Sequence, residues 1–137
     1  MCRATKKPFK KERLFMDLQI TNVAGQGDEK EEYVNILVKK DCNLQGYMIL
    51  DETFKADGSK SNKHRHVYIF PNHEVKKDDR IFLRTRAGTD SKGETQGGGP
   101  AHRFHWGLKS PVWNEGGDKV HLIKIQSAVS FNVSEAK

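Results

Sequence analysis

Cysteine is nearly absent from this sequence: Cys2 and Cys42 are the only two in 137 residues, too few for a disulfide scaffold. Proline is scarce as well, with four residues, and twelve glycines without a repeat exclude collagen-like and Pro-rich low-complexity chains. Long apolar runs are missing. The apolar set is 35% of the chain, and no stretch approaches the roughly 18 residues of a membrane-spanning helix. Leu14-Phe15-Met16 is broken at once by Asp17, so no signal-peptide core is visible. A cytoplasmic or nuclear location is expected, or a secreted one if a leader was removed. What remains is the composition of one globular domain, with charged residues at 31% against a typical value of about 25%.

The net charge of +6 is unevenly placed. Residues 1–13 carry six bases against one acid, whereas residues 14–137 carry 18 against 17. The sequence therefore reads as a disordered basic arm, 1–13, followed by a nearly neutral domain, 14–137. Lys6, Lys7, Lys10, Lys11 and Arg13 in the arm are candidates for contacting a polyanion. So are Lys63, His64, Arg65 and His66, which with Lys60 form a second basic cluster. The plainer account of both is a solvated leader and a solvated sheet face.

Hydrophobic spacing follows a period of two, the signature of strands. It predicts strands over 14–21, 33–38, 44–50, 65–70, 80–86, 104–108, 120–126 and 128–133. The segments between them are expected as turns or loops, including a long mobile loop over 88–101. No segment shows a capped helical period. About eight short strands with Gly, Pro, Asn and Asp turns imply an all-β sandwich or barrel.

Several ordered motifs stand out within this pattern. They are Gly46-Tyr47, Phe70-Pro71, Thr85-x-Ala87-Gly88-Thr89, Trp106-Gly107 and Trp113-Asn114-x-Gly116-Gly117-Asp118. In this order the chain from Leu14 to Gln126 resembles the lamin tail domain family, and its bacterial members more closely than vertebrate lamins. The resemblance implies an immunoglobulin-like β-sandwich in which these residues are folding devices and none is catalytic. Two departures are the longer segment 88–103 and the absence of a Gly-Asn-like hairpin after Gln126.

Chemistry-bearing patterns are few. His64 and His66 share a strand face, and His102 and His105 lie near the long loop, yet no zinc-ligand spacing is present. Neither a Gly-x-Ser-x-Gly elbow nor a phosphate-loop ending occurs. Asp78-Asp79 and Asp51-Glu52 are expected in solvated turns. The expected function is a non-enzymatic module, without cofactor or metal, that binds proteins or scaffolds a larger assembly. Polyanion binding through the basic arm and cluster is the alternative, and a metal-dependent hydrolase the remote one.

Overall fold

A computed structural model describes residues 16–52, 66–113 and 119–134. These residues contain no helix and form ten strands. The strands are β1 (Leu18–Ala24), β2 (Tyr33–Val38), β3 (Cys42–Asn43), β4 (Tyr47–Glu52), β5 (Val67–Ile69), β6 (Glu74–Val75), β7 (Arg80–Arg84), β8 (Ser91–Glu94), β9 (Pro100–His105) and β10 (Lys119–Lys124). One sheet has the order β1-β2-β7-β9-β8, a second β10-β4-β5, and β3 pairs with β6. All pairings are antiparallel except β7 with β9. The protein is all-β, with two larger sheets that share one buried cluster.

That cluster follows from the alternation of side chains along each strand. Val34, Ile36 and Val38 of β2 and Ile81 and Leu83 of β7 point inward from the first sheet, and Tyr47 and Ile49 of β4 from the second. The alternation in β1 would fail at its midpoint, but the register shifts between Ile20 and Asn22. The extra residue, Thr21, donates its hydroxyl to Asn35 O at 3.0 Å. This bulge brings Val23 opposite buried Val34, on the inward face that Leu18 and Ile20 already occupy.

Aromatic rings join the layers. A continuous row of neighbours runs from Trp113 through Trp106, Tyr68, Phe70 and Phe104 to His73, with successive centroids 5.0–6.1 Å apart. All the contacts but the tilted tryptophan pair are edge-on, the arrangement favoured by the ring quadrupoles. Tyr47, Phe70 and Trp113 are fully enclosed, as inward anchors should be.

Three expectations are corrected. The segment 88–101 is largely a hairpin: Thr95 N donates to Gly99 O at 2.7 Å and Gly98 N to Thr95 O at 2.9 Å, so the triple glycine serves as the turn between β8 and β9. The strand expected from residue 44 starts at Tyr47. Leu44 to Tyr47 is a turn closed by Tyr47 N donating to Leu44 O, with Gly46 supplying a φ of +100°. The segment 128–133 is not a strand. It has no ladder partner among the described residues, and Val129, Phe131 and Val133 are 97%, 91% and 88% exposed.

Candidate functional site

The turn between β6 and β7 builds the most chemically organised part of the molecule. Asp78 N donates to Val38 O and Val38 N to Asp79 O, which clamps the turn against β2. Asp78 takes the left-handed position at φ 75°, a conformation that Asp tolerates better than most residues. Asp79 is thereby turned inward and is 5% exposed. Its Oδ2 accepts from Lys76 N at 3.0 Å and from His102 Nε2–H at 2.8 Å. His102, 2% exposed on β9, accepts at Nδ1 from His73 Nε2–H at 2.9 Å. These donor roles are the ones that satisfy the chain Asp79–His102–His73 with both rings neutral.

His73 ends the chain in an open cleft of about 290 Å³ lined by Pro71, Asp90, Ser91, Lys92, Arg103 and Phe104. Burial, then His102 and Lys92, hold its pKa below the ordinary 6.5. The arrangement can pass a proton from the cleft to a buried carboxylate. Ser91 lines the same cleft as His73.

Two further histidines also find carboxylates. His66 N donates to Asp51 Oδ1 at 3.0 Å, and its Nδ1 lies 3.2 Å from Oδ2 of the same residue. His105 N donates to Asp90 Oδ1 at 2.8 Å. The His66 and His105 pairs are separate from the Asp79–His102–His73 chain, and among the described residues no three His, Cys, Asp or Glu side chains gather as metal ligands would. Asp51 and Asp79, expected in solvated turns, are both buried and hydrogen-bonded. A buried carboxylate repays its desolvation only through such donors.

Glu32 is the residue that sequence reasoning missed. It ends a polar Glu29-Lys30-Glu31-Glu32 run, yet is 0% exposed. Its Oε2 accepts from the Thr85 hydroxyl at 2.6 Å and Val112 N at 2.7 Å, and its Oε1 from Gly27 N at 3.2 Å. Trp113 N donates to the same carboxylate at 3.4 Å. Trp113 is therefore held as a structural joint, on the carboxylate of a distant residue. Only period-breaking polarity just before β2 could have signalled this.

Two outward faces are distinctive. On the β10-β4-β5 sheet, the pairs Leu50–Val67, Met48–Ile69 and Ile123–Met48 lie on the side opposite buried Ile49. Ile69 is 62% exposed, Val67 43% and Ile123 39%, so this outer side carries an apolar row where a solvated sheet would be polar, with His121 opposite Leu50 and Lys119 opposite Glu52 at its margin. On the five-stranded sheet, Tyr33, Phe82, Arg84 and Arg103 line a cleft of about 480 Å³ with Glu94, Thr95 and Gln96. Arg84 sits 5.4 Å over the Tyr33 ring, which meets Phe82 edge-on at 5.5 Å.

Of the candidate polyanion contacts, Lys6, Lys7, Lys10, Lys11, Arg13, Lys63, His64 and Arg65 lie outside the described residues. His66 is described, and its ring is engaged by Asp51. Among the motif residues, Gly46, Tyr47, Phe70, Pro71, Trp106, Gly107 and Trp113 are described, whereas Asn114, Gly116, Gly117 and Asp118 are not. Cys42 is a free thiol, pushed up to about 11 chiefly by burial and then by Asp17. Among known proteins, the chain matches no family model and no curated sequence.

Proposed function

We propose that this chain is a non-enzymatic, immunoglobulin-like module, similar to the lamin tail domain, that docks a protein partner on the outer side of the β10-β4-β5 sheet. The observation that carries this reading is the exposed apolar row of Val67, Ile69 and Ile123 beside Met48 and Leu50. Contiguous exposed apolar surface is the usual mark of an interaction site. The lamin-tail likeness is supported by the two-layered all-β architecture and by the burial of Tyr47, Phe70 and Trp113 in one cluster. The non-enzymatic part is supported by the employment of His66, His102 and Glu32 in holding backbone and buried partners.

The test is affinity capture with the intact chain and with Ile69→Asp. A partner retained by the intact chain and by Arg84→Ala, but lost with Ile69→Asp, is expected. Recovery of no partner by the intact chain, or equal capture by Ile69→Asp, would overturn the reading.

Polyanion binding is a second reading, favoured by the two arginines and two aromatic rings of the Tyr33–Phe82 cleft. It requires duplex or single-strand binding that weakens steeply with salt and with Arg84→Ala. A flat salt response removes it.

A further inference from the structure

Among the described residues, strand β10 is an edge, paired with β4 alone. Its inward residues Val120 and Leu122 are half-buried although they pack on the core, so the interior is incompletely covered along this edge. Beyond it the pairing toward β4 persists to Ile125, whose N donates to Gly46 O at 2.7 Å. The chain then runs exposed from Gln126 to Ser134.

This exposed tail has the pattern of a strand. Val129, Phe131 and Val133 alternate with Ser130, Asn132 and Ser134, and no charge or proline interrupts them. Residues 129–134 match the six-residue length of β10. A segment of this composition left without a ladder is what edge-strand chemistry ordinarily guards against.

The link explains why the tail does not fold back on its own β10. Only Gln126, Ser127 and Ala128 separate Ile125 from Val129. A hairpin this tight needs a residue at positive φ, a place for Gly, Asn or Asp, and the link has none. A tail that continues outward from Ile125 needs no such residue. Short hinges that resist reversal are the ones from which identical elements are exchanged between copies.

We propose that residues 129–134 of one copy add as a strand to the free edge of β10 in a second copy, and that the exchange is reciprocal about a two-fold axis. Val129, Phe131 and Val133 then face inward over Val120 and Leu122, and the polar alternates face solvent. Lys119 and Lys124 stand at the two ends of β10, leaving Val120 to Ile123 between them for the ladder. The pairing uses the backbone edge of β10 and its inward side chains; it shares Ile123 with the outer apolar face but does not involve Ile69.

Sedimentation velocity of the full chain over a concentration series tests the exchange. The intact chain is expected to sediment as a dimer of twice 15.6 kDa, and Phe131→Asp as a folded monomer. If Phe131→Asp does not fold, Val133→Lys carries the same expectation. The double substitution Gln126→Asn with Ser127→Gly installs a hairpin turn and is expected to give a monomer whose tail amides are protected from exchange. Ile69→Asp is expected to leave the dimer intact. A monomeric intact chain at every concentration, a dimer that survives Phe131→Asp, or a dimer abolished by Ile69→Asp alone would overturn the proposal.

Discussion

Glu32 shows how much one side chain can hold. Its carboxylate gathers the Thr85 hydroxyl and the backbone of Gly27, Val112 and Trp113, from parts of the chain up to 81 residues away from it. Glu32→Ala leaves those donors buried without an acceptor and opens a void, so a loss of about 3 kcal/mol or more is expected. Chemical denaturation of Glu32→Ala and Glu32→Gln checks this, with the isosteric amide costing less. His73 acts in the opposite direction. Its pKa in the folded protein lies below the ordinary 6.5, held there by burial first, then by His102 and Lys92. The unfolded chain therefore binds a proton more readily, and this contribution to stability is complete above about pH 6.5 and is lost as pH falls through and below it. A pH series of unfolding free energies is expected to decline below pH 6.5, and His73→Gln to flatten that decline. Asp90, which faces His73 from the β7–β8 connection, works weakly against the shift.

At the scale of elements, turns decide where the ladders begin and end. The turn after β1 uses Gly25 at φ +67° and Gly27 at φ +90°. A Cβ at Gly25 would come within 2.7 Å of the Glu31 backbone, whereas one at Gly27 meets nothing within 4 Å. Gly25→Ala is therefore expected to cost clearly more than Gly27→Ala, which pays only about 1–2 kcal/mol for its left-handed backbone. Comparing the two midpoints in denaturant measures the difference. Strands β2 and β7 were legible because their inward rows are β-branched or large and the pattern has no interruption. The β8–β9 hairpin was not: Ser91-Lys92-Gly93-Glu94 has no apolar row, and its pairing comes from backbone bonds and the glycine turn. The segment 128–133 erred the other way. Its alternation is strand-like, but alternation names a face and does not supply a neighbour.

At the scale of the molecule, the two sheets place one apolar face outward. Ile69 is 62% exposed, so Ile69→Asp should change unfolding free energy by no more than about 0.5 kcal/mol. A melting curve that matches the parent shows that any lost binding is a surface effect. A large destabilisation would mean that the face is covered within the chain. The candidate site was much less legible than the fold. Pairing of His66 with Asp51 spans 15 residues and of His102 with Asp79 23, and nothing in either local pattern marks the partner.

Period-two hydrophobicity, punctuated by Gly, Pro, Asn and Asp, was enough by itself to make this an all-β chain. Each inward row must be buried, and a strand offers one face at every second residue. Which carboxylates enter the interior, which imidazoles meet them and which apolar face stays in water were decided only by tertiary structure. Those outcomes depend on sheet order and on donors brought from distant segments, and a short-range pattern carries no record of either.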